Sequence, residues 1–314
     1  MRKRRATLHK KVVTTSLVLL GCALVVIMGI SYYAMCMLTF AGDRTVYGKR
    51  ASDLMTEIRE EILKRPGVTE VSFPTVDSYK LAGILVKRQN AVGNVVLCHG
   101  YRGGKELMYA FLEQFPDWNA LMFDFRAHGQ SSGSMTSIGC HEYKDVIAAT
   151  MFLREQTQTH KHLPMVILGV SMGGASSLRA VEEEQGLCNA LIVDSAYAHL
   201  GKTVLKAFSA KSVLPRYPFF PIMKQMFHYF AQCDVHSMNP AESVKSIKIP
   251  ILFIHSCDDT YISPKNVLKL YAGAQHKHSK LWIGPRCRHG WLHSYHSELY
   301  KKKISRFLNR ALSQ

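Results

Sequence analysis

Eight short β-rich runs recur along the chain, VSF, KLAGILV, NVVLCHG, NALMFDF, MVILGVS, NALIVDS, IPILFIH and KLWIG, with segments of helical spacing between most of them. Strands that alternate with helices must be joined by crossovers, so this rhythm demands an α/β fold: a mostly parallel eight-stranded sheet with helices on both faces. The first two runs are separated only by the turn-like PTVDSY, which predicts an antiparallel hairpin at one edge. Between Asp194 and Pro250 the rhythm fails. That stretch carries Pro215, Pro218 and Pro221 among Phe219, Phe220, Met223, Met226, Phe227, Tyr229 and Phe230, and predicts a small helical cap inserted at about 197–246. Its aromatics pack the cap onto the domain, line an acyl pocket, or do both.

Ahead of the strands, no charged residue occurs from Val12 to Phe40, a run longer than the ~20 residues a helix needs to cross a bilayer. A cleaved secretory signal would have a shorter apolar core, and the only small-residue sites lie around Ala34 and Ala41, so an uncleaved signal anchor is expected. Arg2, Lys3, Arg4, Arg5, Lys10 and Lys11 precede the run, and Asp43 follows it. The positive-inside rule then predicts a single-pass protein with a cytoplasmic N-terminus and its main domain on the outer side. Tyr32, Tyr33 and Phe40 suit an interfacial aromatic belt. Leu54, Ile58, Ile62 and Leu63 fall at helical spacing before Pro66-Gly67, which predicts a connecting helix. The expected organisation is a basic tail at 1–11, a transmembrane anchor at 12–40, a linker with an amphipathic helix at 41–68, and one α/β domain at 69–314.

Hydrophobic residues make up 47% and charged residues 20% of the 314, which excludes a disordered or fibrous chain. The formal net charge is +17, and bases still outnumber acids once the N-terminal cluster is removed. Beside a membrane anchor, an anionic lipid surface is the simplest partner for that excess. No zinc finger, RNA-binding motif or dense basic helix is present, so no nucleic-acid partner is expected. Eight cysteines without a Cys-x-x-Cys pair do not make a disulfide framework; Cys257 and Cys287 are the pair considered for a bridge.

The chemistry-bearing segments lie where strands end. Gly169-Val170-Ser171-Met172-Gly173-Gly174 follows the apolar run MVIL and precedes the helical SSLRAVEEE, the strand, sharp turn, helix setting of an exposed nucleophilic serine. Glycines 169 and 173 relieve crowding at the bend, and the backbone N–H of Met172, at the helix start, can face a developing oxyanion. A second donor is expected in the loop after the third strand, His99-Gly100-Tyr101-Arg102-Gly103-Gly104, with the Tyr101 N–H the candidate and His99 bracing the loop. A serine needs a base to take its proton and an acid to orient that base. Asp258 and Asp259 after IPILFIH offer the acid, and His289 after KLWIG offers the base, with His293 and His296 as competitors. The two competing histidines have no carboxylate or cysteine partner that completes a metal site. The chemistry calls for no metal and no cofactor.

Taken together, HGYRGG, DFRAHGQSSG, TSIGCHEYKDV, GVSMGG, HSCDDTYISP and RHG resemble the α/β-hydrolase superfamily of serine hydrolases, above all its single-domain, often membrane-associated members. The resemblance covers roughly residues 70 to 312. It implies the α/β-hydrolase fold, with an acid four residues after the histidine that opens a His-Gly-x-x-Asp motif; counted from His255 this is Asp259, although Ser256 replaces the usual glycine. It also implies His289 as the base, from its distance to Phe307-Leu308, and a buttressing role for the Asp124–Ser131 segment, where Ala127 replaces a frequent glycine. The implied activity is hydrolysis of an ester or thioester of a small-molecule or lipid-like acyl substrate through Ser171, His289 and Asp259, with the Tyr101 and Met172 N–H groups as oxyanion hole. Peptide or amide cleavage, acyl transfer to an acceptor other than water, and a non-catalytic binding role on the same fold are the rival readings.

Overall fold

The computed structural model describes residues 2–40, 45–46, 49–158 and 163–313; Ala41 and Asp43 lie outside them. Among the described residues eight strands form one sheet: β1 (Val68–Pro74), β2 (Lys80–Val86), β3 (Gly93–Cys98), β4 (Trp118–Phe123), β5 (Met165–Val170), β6 (Ala190–Asp194), β7 (Ile251–Ser256) and β8 (Lys280–Gly284). Their order is β8-β7-β6-β5-β3-β4-β2-β1. β2 pairs antiparallel with both β1 and β4, and every other pairing is parallel. The edge hairpin expected around PTVDSY is therefore present, with Phe73 opposite Leu81.

Side-chain alternation along the inner strands builds two cores, one per face. Val96, Cys98, Ile167, Leu191, Val193 and Phe253 bury on the face covered by α3 (Glu142–Gln156), α4 (Met172–Glu183) and α8 (Lys265–Gly273). Val95, Leu97, Val166, Leu168, Ile192 and Ile254 bury on the other, under α2 (Ala51–Leu63), a 3-10 segment (Lys105–Gln114) and the C-terminal α10 (Ser297–Ala311). The short α9 (Leu292–Tyr295) leads into α10.

Three helices separate β6 from β7: α5 (Leu200–Lys211), α6 (Arg216–Ala231) and the short α7 (Pro240–Ser243). Phe220, Met223 and Phe227 of α6 are buried in the first core, whereas Tyr229 and Phe230 stay exposed. Of the two roles open to the cap aromatics, packing accounts for these three. Cys233, just past α6, is bonded to Cys140 ahead of α3, with their Cα atoms 6.1 Å apart. Cys257 and Cys287 are free thiols, so the pair considered from sequence is not the one formed.

The N-terminal helix α1 (Arg2–Thr39) contains a 33-residue stretch, Thr7–Thr39, long and apolar enough to cross a membrane. It is exposed along most of its length, but its last turns are not: Ser31, Met35 and Thr39 are fully buried and Ala34 and Leu38 half-buried. That four-residue spacing marks one face seated on the domain. α1 packs against α6, and the Tyr32 and Phe230 rings meet edge-on at 5.6 Å.

Candidate active site

The turn from β5 into α4 is sharp enough to force Ser171 into a positive φ of 55°, with ψ −114°. Such backbone is costly for a non-glycine residue and persists only where its surroundings hold it. Here the Ser171 N–H donates to the Asp194 carbonyl at 2.8 Å and the Ser171 carbonyl accepts from the Ala175 N–H at 3.0 Å. The flanking glycines have a steric reason: a Cβ on Gly169 would lie 2.5 Å from the Gly173 carbonyl carbon, and one on Gly173 would lie 2.4 Å from the Cys98 carbonyl oxygen. The result lifts the Ser171 hydroxyl off the end of the sheet beside the loop that follows β3.

The residues expected after β7 and β8 meet that hydroxyl. His289 Nε2 lies 2.9 Å from Ser171 Oγ, and His289 Nδ1 lies 2.6 Å from Asp259 Oδ2. Asp259 Oδ1 accepts the N–H groups of Tyr261 at 3.0 Å and Ile262 at 2.8 Å. Burial opposes ionisation of Asp259, but hydrogen bonds from His255, His289 and the Ile262 N–H outweigh it and hold the carboxyl well below the usual range. Its neighbour lies away from His289: Asp258 is exposed and faces Arg286 at 3.8 Å.

The competing histidines are elsewhere. His293 stacks on Phe111 with centroids 3.9 Å apart, its Nδ1 3.1 Å from the Gly290 carbonyl, and His296 occupies the residue before α10. Among the described residues no group of three or more His, Cys, Asp or Glu side chains is placed to hold a metal ion.

The loop after β3 passes directly over the serine, so close that a Cβ on Gly100 would come 3.3 Å from Ser171 Cβ. Two buried imidazoles shape it. His99 Nδ1 lies 2.7 Å from the Gly100 carbonyl and Nε2 accepts the Phe125 N–H at 3.0 Å; His128 Nδ1 lies 2.9 Å from the Arg126 carbonyl and Nε2 accepts the Arg102 N–H at 3.2 Å. An accepting nitrogen must be unprotonated, so both rings are neutral here; burial, helped at His99 by the neighbouring His128, pushes the His99 pKa down to about 4, and burial likewise lowers His128. The bracing expected of His99 is what its contacts provide. His128 does the same from within the Asp124–Ser131 segment, and Arg126 of that segment is locked by Asp145 at 2.6 Å and Asp77 at 2.8 Å.

One contact escaped the sequence reading. His255, named there only as a motif residue, is fully buried and its Nε2 lies 2.8 Å from the Ile262 carbonyl and 3.3 Å from Asp259 Oδ2. Its signal in the sequence was position alone, at the end of β7.

Ser171 sits between two hollows. A cleft of about 530 Å³ opens on one side, lined by Leu107, Met108, Phe111, Val170, Tyr261, His289 and Trp291. A narrow recess of about 30 Å³ lies on the other, between Met172, Tyr197, Ile262, α5 residues Leu200, Val204 and Ala207, and Leu38 of α1. No residue of α6 lines either hollow, so the pocket role open to its aromatics is not realised there.

Strand order, the bend at Ser171 and the placement of the segments after β7 and β8 define an α/β-hydrolase fold. The family model described as alpha/beta hydrolase fold matches residues 93–214. Among curated proteins, the uncharacterized protein YqkD of Bacillus subtilis is 27% identical over 77% of this chain and 79% of its own length. The uncharacterized membrane protein YNL320W of Saccharomyces cerevisiae is 22% identical over 68% of this chain and 71% of its own length. Among solved structures, the Pyrococcus furiosus esterase Pf2001 superposes with a TM-score of 0.64 at 25% identity, covering 77% of this chain and 91% of the esterase.

Proposed function

We propose that the chain is a membrane-anchored serine hydrolase that cleaves an ester or thioester through an acyl-enzyme. The observation that carries this reading is the unbroken line of hydrogen bonds from the Asp259 carboxylate through His289 to the Ser171 hydroxyl. His289 Nε2 takes the Ser171 proton as Oγ attacks the acyl carbonyl carbon. The negative charge that builds on the carbonyl oxygen is met by the Tyr101 and Met172 N–H groups. The intermediate then collapses, the bond to the alcohol or thiol breaks, and His289 returns the proton to that leaving group. Water, deprotonated by the same nitrogen, attacks the acyl-enzyme and releases the acid, restoring the Ser171 hydroxyl. Asp259 remains ionised throughout and steadies the imidazolium.

The apolar walls of the cleft and the seated end of α1 favour an acyl substrate with lipid character, and the esterase likeness agrees with ester chemistry. α1 serves as the span, and the basic cluster before it puts the N-terminus in the cytoplasm and the hydrolase domain, residues 69–314, on the outer side. The test is labelling of the full-length protein in detergent micelles with a fluorophosphonate. Wild type should be labelled and Ser171→Ala should not; equal labelling of both would reject the assignment. A panel of p-nitrophenyl esters and acyl thioesters of rising chain length then reads the substrate class.

A further inference from the structure

The C-terminal turn of α1 ends in carbonyls that have no partner within the helix, as every helix does. The hydrolase domain caps them one by one. The Thr39 carbonyl accepts the Thr136 N–H at 2.9 Å, the Leu38 carbonyl accepts the Tyr101 hydroxyl, and the Met37 and Phe40 carbonyls accept the Arg102 guanidinium, the latter at 3.2 Å. Two of these donors, Tyr101 and Arg102, are consecutive residues of the loop that lies against Ser171, and Tyr101 is the residue whose backbone N–H is assigned to the oxyanion hole. Arg102 has a positive φ of 58°, so its backbone needs holding from outside. The imidazole of His128 holds the loop from within the domain; α1 holds it from the other side. Leu38, from the same turn, also lines the narrow recess beside Ser171.

We propose that the end of the membrane helix is a working part of the active site: by anchoring the side chains of Tyr101 and Arg102 it fixes the height and direction of the Tyr101 N–H. Tyr101 and Arg102 are thereby positioning residues through their side chains, in addition to the backbone role of Tyr101. The inference rests on the serine-hydrolase reading and deepens it. Strict placement matters because an oxyanion donor acts on the transition state more than on bound substrate, so a loosened donor lowers kcat and leaves KM nearly unchanged.

The experiment uses the full-length chain in lipid nanodiscs, with p-nitrophenyl butyrate as substrate and active sites counted by fluorophosphonate titration. Tyr101→Phe removes the hydroxyl but keeps the backbone N–H, Arg102→Met removes the guanidinium, and Arg102→Lys restores one donor. Expected are losses in kcat per titrated site on the order of 10- to 100-fold for Tyr101→Phe and Arg102→Met, with KM within about twofold and partial recovery in Arg102→Lys. Titration removes any unfolded fraction from the comparison, so a purely structural effect would lower the titre and leave kcat per site at the wild-type value. That result, or a loss confined to KM, overturns the proposal. If wild type itself is not labelled, it is the serine-hydrolase reading that has failed, a distinguishable outcome.

Discussion

Asp259 spends all its acceptor capacity inside the domain. Oδ2 faces His289 and His255, and Oδ1 receives two backbone N–H groups. A buried carboxylate without such partners would take up a proton; this one is stabilised in its charged form. A carboxyl whose pKa is lowered on folding adds stability above its unfolded value, near ~3.9, and loses it as pH falls toward the folded value. The Tm gap between wild type and Asp259→Asn should therefore be widest above about pH 5, begin to narrow below about pH 4 and close only as pH approaches the lowered folded value. A gap that does not change with pH would contradict the ionised carboxylate. At neutral pH the same variant should lose kcat on the order of 10⁴-fold, since an amide cannot orient the imidazole in the required tautomer. At this scale the sequence was informative about Ser171, because glycines at 169 and 173 leave few alternatives around a bend. It was less so for the acid. Asp258 and Asp259 are adjacent in the chain and only the turn after β7 decides which one points inward; the family motif, not spacing, preferred Asp259. The buttress from His255 was illegible, since a histidine ending a buried strand looks the same whether or not it reaches across a turn.

At the scale of elements, α4 is held against the sheet at its first turn more tightly than any side chain allows. The Gly173 position lies over the Cys98 and His99 carbonyls, at 2.4 and 2.6 Å from an added Cβ. Gly173→Ala must push the helix start away from β3, at a cost of about 1–3 kcal/mol. The expected result is a lowered Tm together with a fall in fluorophosphonate labelling rate, because the Ser171 bend moves with the helix; a variant with wild-type Tm would show the contact to be slack. All eight strands were readable from their β-branched and apolar runs, and the cap from the break in their rhythm. The seating of α1 was not. An amphipathic helix reveals its buried face by contrast, and a helix apolar all round has none; only Ser31 and Thr39, polar residues both buried on the seated face, carry a trace of it. The Cys140 bond to Cys233 was equally hidden, because it joins residues 93 apart and no spacing rule covers such a pair.

For the molecule as a whole, if α1 is the proposed span, the seated turns shorten what is left of it to cross a bilayer. From Val12 to Ile30 the helix rises roughly 28 Å at 1.5 Å per residue, close to the ~30 Å of a hydrocarbon core. With that span, exposed Tyr33 and Tyr229 and the Tyr32–Phe230 contact would fall at the level expected of an interfacial aromatic belt. The orientation has a direct check. Cys257 is an exposed free thiol on the hydrolase domain, whereas Cys22 lies within the apolar stretch. A membrane-impermeant maleimide added to intact cells should label the wild type, and Cys257→Ser should lose most of that label; labelling that appears only after the cells are lysed would place the domain inside.

Because four consecutive carbonyls at the end of α1 are gripped by the domain, the hydrolase is not a balloon on a string. In the proposed membrane-anchored reading it would ride at a set altitude, its catalytic mouth travelling in a plane parallel to the lipid and only as fast as the span diffuses sideways. An enzyme held in that way would encounter its substrates by surface density rather than by bulk concentration, and a soluble ester of the same chemistry would compete poorly with one that shares the plane.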